Sequence, residues 1–350
     1  MEALPALLAL VDEVTGSKSN AALFTLAKVY AQLHNWNGEE LLGQLTDKNF
    51  WDVQYLDPSG NTPGMDSMDA FRCLVDVNRT RPLIKGITEV VKSKIESGIE
   101  RPVAIDAGTG TGILALALIA AGCAKVHALE INEHTARTAM EFVKLLNLSE
   151  WIEVIQCDAT QVDLGDVKAD ILVSENLSNG LFDEPQYRII NHLSSYLKPG
   201  ATIIPASAEV MVSLGYTSWE GLDKTWSNVR KIPDLVRLTS PVIHTRVESE
   251  VGMAIPHITG EVVIGYPEDF QVANALIVST RFRISDGVYL EPDTAEFLGK
   301  SSAFKTNGEL HPGQPVRVIM SYPTEMRKQY AQVTTSDNVI ILVPSEDYVS

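Results

Sequence analysis

Two carboxylates and three glycines mark the part of this chain best equipped for chemistry. Asp106 closes the apolar run that begins at Val103, and Gly108, Gly110 and Gly112 follow at alternate positions before Leu114 to Ile119, a stretch of Leu and Ala at helical density. An apolar strand, a glycine turn and a helix in that order let backbone approach a bound molecule closely. Glycine has no Cβ to block it and takes the positive φ that such a turn needs. The spacing is G-x-G-x-G, not the G-x-G-x-x-G that seats a pyrophosphate on a helix N-terminus, and an acid stands two residues ahead of it. Asp106 repels phosphate and suits a ligand carrying an ammonium group and hydroxyls. S-adenosyl-L-methionine has that make-up, with a sulfonium, an α-amino group, a ribose and an adenine. Glu130 ends the next apolar run, Lys125 to Leu129, where a doubly wound fold places the carboxylate that accepts both ribose hydroxyls.

A second constellation is S-E-N-L-S-N-G-L-F-D-E, Ser174 to Glu184, directly after the apolar run Ile171 to Val173. A loop turning at Gly180 brings Glu175 and Glu184 side by side, and two carboxylates so placed repel each other unless a cation lies between them. A guanidinium fits that gap, because its planar fork of donors matches paired carboxylates and it stays protonated at any physiological pH.

These residues need a scaffold, and the hydrophobic pattern supplies one. From Val103 the chain alternates strand and helix: strands at 152–156, 170–174 and 202–205, a helix at 133–147 with Ala136, Met140, Val143 and Leu146 on one stripe, and another near 185–197. That pattern predicts a doubly wound parallel sheet. Asp158, just past its strand, falls on the same C-terminal rim as Asp106 and Glu130; it either faces the adenine or caps the next turn. Beyond residue 205 the runs are short and β-rich, at 209–214, 259–264, 275–284, 315–322 and 339–343, with a helical excursion at 219–236 and a hairpin turn at His311 to Gln314. Residues 1–64 read as a helical segment. Its stripes are Leu4, Leu7, Leu8 and Val11, then Leu23, Leu26, Tyr30 and Leu33, with a third short helix holding Leu41, Leu42 and Leu45, and they predict packing or dimerisation. Three units follow: 1–64, 65–205 and 206–350.

With 350 residues, 45% of them apolar, and a formal charge of −17, the chain reads as a globular protein that has no basic face for nucleic acid and is compatible with a cationic partner. Cys73, Cys123 and Cys157 are odd in number and unspaced for metal, which predicts reduced thiols in a cytoplasmic protein. The apolar opening near Leu4 to Leu10 lacks a basic flank and is cut short by Asp12 and Glu13, so neither a signal peptide nor a membrane span is expected.

D-V-N-R-T at Asp76 to Thr80, V-A-I-D-A-G-T-G-T-G-I-L, A-L-E at Ala128 to Glu130, the two-glutamate loop and I-I-P-A at Ile203 to Ala206 come in the order found in protein arginine methyltransferases. The chain resembles that family from about residue 68 to 212. The resemblance implies a Rossmann-like methyltransferase domain followed by a β-barrel, with a helical arm, here 219–236 at most, through which such proteins form homodimers. It implies that Arg79 holds the methionine carboxylate, Asp106 with Gly108, Gly110 and Gly112 the methionine and ribose portion, Glu130 the ribose hydroxyls, Asp158 and Ala159 the adenine, and Glu175 with Glu184 the substrate guanidinium, without a metal. Two features depart from the family: Asn176, Leu177 and Ser178 follow the first glutamate, and no Thr-His-Trp loop stands between Leu290 and Phe304. Because these departures remove features that line the site for a peptide arginine, the pattern leans to free L-arginine, with N-omega-monomethylarginine as product. The alternatives are a protein arginine N-methyltransferase, a methyltransferase for another small cationic or hydroxylated metabolite, and an inactive arginine-binding module.

Overall fold

The structure is a computed structural model that describes residues 9–12, 19–51, 64–219, 226–228, 232, 234–296 and 301–348. Its centre is a five-stranded parallel sheet made of β1 (Val103–Ala107), β2 (Lys125–Glu130), β3 (Ile152–Gln156), β4 (Ala169–Ser174) and β5 (Leu197–Ile204), in the order β3-β2-β1-β4-β5. Every residue of β4 is buried, as expected of a strand covered on both faces. The strand order reverses direction between β1 and β4, so the carboxyl ends of these two neighbours open a crevice, and Ala107 and Ser174 stand side by side there.

Helices α1 (Ala21–Leu33), α2 (Gly38–Gly43), α3 (Ser67–Val75) and α4 (Val77–Glu96) precede the sheet, and α5 (Ile113–Ala121), α6 (Glu133–Leu145) and α7 (Gln186–Leu193) alternate with its strands. Six consecutive residues of α5, Ile113 to Leu118, are buried, so its apolar character all round reflects a position inside the molecule. Asn132 starts α6 by accepting from the amides of His134 and Thr135 at 3.0 and 3.1 Å. Its inward face is Ala136, Ala139, Phe142 and Val143; Met140, expected on that stripe, is 41% exposed.

The N-terminal stripe is spent within the chain. Leu23, Leu26 and Tyr30 are buried, and α1 packs on α3 and α6 with the Tyr30 ring edge-on to Phe142. The reason for expecting a dimer through this stripe, an apolar face left on the exterior, is therefore gone. Leu4, Leu7 and Leu8 lie outside the described residues.

After β5 come two further sheets. A seven-stranded one is built on the long antiparallel pair β6 (Ser207–Tyr216) and Ala273–Ser285, flanked by Ser302–Leu310 and by Val242–Glu248. A four-stranded one runs His257–Ile264, Val316–Pro323, Val339–Pro344, Ala331–Ser336, with one parallel pairing between its two middle strands. The sheets meet where Ser302–Leu310 packs on Ala331–Ser336 and where His257–Ile264 packs on Val242–Glu248, giving a curled, barrel-like wall. Two local expectations fail. Trp226–Asn228, inside the stretch read as a helical arm, is a strand paired with Ser302–Phe304, and Val236–Arg237 pairs with β6; the rest of that stretch is largely outside the described residues. The Pro312–Gly313 turn joins strands of different sheets, so it is not a hairpin.

Candidate active site

At the carboxyl ends of β1, β2 and β4 lies a cleft of about 890 Å³, a volume typical of small-molecule sites. Arg79, Gly108, Gly110, Glu130, Glu175 and Glu184, all singled out from the sequence, line it. Asp106, Gly112, Asp158 and Ala159 do not. The glycine turn runs at φ +78° for Gly108, +54° for Gly110 and +85° for Gly112. Gly112 serves as the N-cap of α5 and keeps off the cleft wall.

Asp106 sits beneath the turn, fully buried, and accepts from the Thr109 hydroxyl at 2.6 Å, while its other oxygen, Oδ1, has no hydrogen bond. Burial pushes its carboxyl up to about 6 against the pull of the Thr109 bond. The resemblance implies that Asp106 holds the methionine and ribose portion; here it lies buried under the turn and off the cleft lining, so in this structure it bears on the cleft through that turn. Asp158 also stands off the cleft lining. Its oxygens take the Thr160 amide and hydroxyl at 2.8 and 2.7 Å and the Gln161 amide group at 3.0 Å, which makes it the cap of the next turn. Burial raises its carboxyl, but those bonds outweigh it and leave the group below its usual range.

Glu130 is 6% exposed and accepts from the amides of Gly110 at 2.8 Å and Asn132 at 2.9 Å. Burial raises its carboxyl, partly offset by these N–H bonds. A carboxylate has about four lone-pair sites, so capacity remains for hydroxyl donors from the cleft.

The two glutamates have unlike surroundings. Glu175 is ion-paired with Arg79, whose Nη1 donates to the Cys73 carbonyl at 3.1 Å and whose buried Nε lacks a partner. Glu184 pairs with no cation among the described residues; burial and then the neighbouring Asp183 charge raise its carboxyl above the usual range. The spacing of Glu175 and Glu184 predicts one cation between two free carboxylates. In the structure Arg79 already answers one of them.

The stretch between them is tied down on both sides. Asn176 donates to the Ala107 carbonyl at 2.9 Å and to Ser174 Oγ at 3.1 Å, and Gln186 Oε1 accepts from the Asn176 amide at 3.1 Å. Asn179 donates to the Val278 carbonyl, and Thr280 Oγ1 accepts from the Gly180 amide, both at 2.7 Å, which docks the loop on the long strand of the second unit. The departure at Asn176 to Ser178 therefore stitches the acid loop to the glycine turn. Thr109, Asn176 and Asp183 also line the cleft and lay within motifs already singled out, whereas Arg327 and Gln329 arrive from a turn after Val316–Pro323 that carries no signal of its own. The second unit reaches the cleft there, and among the described residues none of 290–296 or 301–304 lines it.

The cleft fits S-adenosylmethionine on three observations: backbone at Gly108 and Gly110 open to it, spare acceptor capacity on Glu130, and Arg79 on its wall with a buried Nε that has no hydrogen-bond partner. Residues 104–200 match the family described as methyltransferase domain. Protein arginine N-methyltransferase 6 of Danio rerio is 31% identical over 186 residues, 53% of this chain and 50% of that protein. The chain spans about half the length of the first curated relatives it matches. Among solved structures, Arabidopsis thaliana protein arginine methyltransferase 10 aligns at a TM-score of 0.58 and 17% identity over 70% of this chain and 85% of that one. The Trypanosoma brucei PRMT1 enzyme-prozyme complex with AdoHcy aligns at 0.56 and 18%, over 70% and 84%. Those two likenesses are of fold: a methyltransferase sheet followed by a curled antiparallel unit. Residues 104–200 form a methyltransferase domain, and the chain is similar in sequence and in fold to protein arginine methyltransferases.

Proposed function

We propose that the chain transfers the methyl group of S-adenosylmethionine to a guanidino nitrogen of arginine within a polypeptide. The observation that carries this reading is Glu184: a largely enclosed carboxylate with no cation partner among the described residues, in the same cleft as the glycine turn and Glu130. Such a group binds a cation strongly, since the partner relieves its desolvation. When bound, the donor would supply an electrophilic methyl on a sulfonium, with S-adenosylhomocysteine leaving as the C–S bond gives way to the new N–C bond and the guanidino nitrogen's proton passing to solvent. Glu184 orients the guanidinium and draws its charge to the nitrogens it touches, leaving the reacting nitrogen freer to attack. Arg79 takes the methionine carboxylate, which releases Glu175 to join Glu184. Gly108, Gly110 and Glu130 hold the methionine and ribose portion.

The lean to free arginine finds no support. The relatives carry the name of protein-modifying enzymes, and the argument from a missing barrel loop weakens because Arg327 and Gln329 do reach the cleft. The expectation of a singly methylated product relied on shielding by the N-terminal helices, yet no residue of 9–12 or 19–51 lines the cleft. Homodimerisation stays a proposal, now without the Leu23, Leu26 and Tyr30 stripe behind it. A cytoplasmic site is proposed on its three unpaired cysteines. Among the described residues no helix is long and apolar enough to cross a membrane.

Incubation with labelled S-adenosylmethionine and either an arginine-rich peptide or free arginine, read by mass spectrometry, tests the reading. Label on the peptide arginine supports it; label on free arginine alone, or on neither, overturns it.

A further inference from the structure

Helix α7 starts two residues after Glu184, and its N-cap is Pro185, whose side chain offers no hydrogen bond to the exposed amides of the first turn. The missing cap comes from the other unit of the molecule. Glu325, in the turn after Val316–Pro323, accepts from the amides of Tyr187 at 2.6 Å and Arg188 at 2.9 Å with one oxygen, and from the Arg188 side chain with the other. These are the second and third amides of the helix, the pair that a capping side chain ordinarily takes. The Glu325 side chain is 4% exposed while that of Arg188 is 56% exposed.

Around that contact the two segments are zipped together. The Glu325 amide donates to the Leu181 carbonyl at 2.7 Å, the Asp183 amide to the Met326 carbonyl at 3.2 Å, the Lys328 amide to Asp183 Oδ1 at 2.8 Å, and the Tyr322 hydroxyl to the Gly180 carbonyl at 2.9 Å. Three non-glycine residues here are held at positive φ: Leu181 at +58°, Asp183 at +64° and Glu325 at +67°. Such backbone costs of order 1 kcal/mol or more per residue and persists only where surrounding contacts over-determine it. Glu184 stands in the middle of this frame.

We propose that Glu325 is a positioning residue: by capping α7 from across the molecule it fixes Glu184 on the wall of the cleft. The proposal rests on the functional reading of Glu184 given above. Cofactor contacts lie on the Arg79, Gly108–Gly110 and Glu130 side, so the latch governs the arginine side alone.

The test compares Glu325→Ala, Glu325→Gln and Arg188→Ala by hydrogen exchange, cofactor titration and steady-state kinetics on an arginine-rich peptide. Glu325→Ala is expected to speed exchange at the 181–188 amides and lower kcat/KM for the peptide at least tenfold, with cofactor affinity within about twofold. Glu325→Gln keeps an acceptor for the two amides and restores most of both; Arg188→Ala, which removes only the exposed ion pair, behaves as wild type. Exchange at 181–188 unchanged in Glu325→Ala, or cofactor affinity falling as far as kcat/KM, overturns the proposal and leaves Glu325 an ordinary structural contact. If Glu325→Ala does not fold, Arg188→Ala and Glu325→Gln still decide: kcat/KM kept near wild type in both supports the cap, and a tenfold or greater loss in Arg188→Ala would mean the ion pair, not the cap, is what matters. Absence of turnover in the wild type would instead count against the functional reading, and the exchange data would judge the latch on their own.

Discussion

Asp106 and Glu184 are both carboxylates displaced upward by burial, and the displacement has opposite uses. For Asp106 the folded value of about 6 exceeds the ordinary 3.8, so its contribution to stability is fully present below about pH 4 and is lost as pH rises through 6. Asp106→Asn should therefore make the ligand-free protein more stable at pH 7.5, by on the order of 2–3 kcal/mol at most. The gain should vanish near pH 4, which thermal melts across that range would show. Equal melting shifts at both pH values would contradict the buried-charge account. Glu184 has to be ionised to receive a guanidinium, so kcat/KM for arginine substrate should fall as pH drops, with a midpoint above the ordinary carboxylate range. A profile that stays flat through the ordinary carboxylate range would remove Glu184 from that role. The types and spacings of these residues were legible in the sequence because chemistry depends on them. Which way Asp106 points was not: a strand residue under a turn and one facing the ligand have the same neighbours in sequence.

Among the elements, the glycine turn is where backbone conformation and packing can be separated. A Cβ at Gly108 would stand 2.8 Å from Asn176 Oδ1, whereas one at Gly110 would meet only the Ala70 Cβ at 3.7 Å, and both have positive φ. Gly110→Ala then carries backbone strain alone, of order 1 kcal/mol. Gly108→Ala adds a collision that must push the Asn176 side chain off the Ala107 carbonyl. Cofactor affinity measured by titration should fall more in Gly108→Ala, by at least a further fivefold; equal losses would mean that Asn176 does not brace the turn. The five strands of the parallel sheet were legible because each is a short apolar run between helices. The strands at 242–248, 302–310 and 331–336 were not, since their alternation is broken by polar and half-buried positions such as His244, Lys305 and Thr335. The Thr324 to Gln329 turn was invisible for another reason: its importance lies in contacts with residues about 140 positions earlier.

For the whole molecule, one continuous core joins the N-terminal helix, the parallel sheet and the curled second unit. Helix α4 spans the junction, and a Cβ on its Gly86 would collide with Ile284 of the long antiparallel strand. A leucine stripe reads the same whether it meets a partner or its own core, so the Leu23, Leu26 and Tyr30 pattern could not say which. Deleting residues 1–50 should uncover Phe71 and Phe142 and lower the thermal midpoint sharply or abolish soluble expression. A truncated protein that melts like the full chain would show that the helix is peripheral. The net charge of −17 acts at this scale too, attracting basic chains over long range with a strong dependence on ionic strength while selecting no particular residue.

On the proposed function, Glu184 receives a guanidinium beside a methyl donor held by the glycine turn. Methyl transfer to an arginine-rich peptide by the wild type and by Glu184→Gln, with cofactor affinity measured in both, addresses it most directly. Removing the charge while keeping the shape should cost about 1.5–3 kcal/mol of transition-state stabilisation, a ten- to hundredfold loss of kcat/KM, with cofactor affinity within a few-fold. Unimpaired methylation by Glu184→Gln would contradict the account.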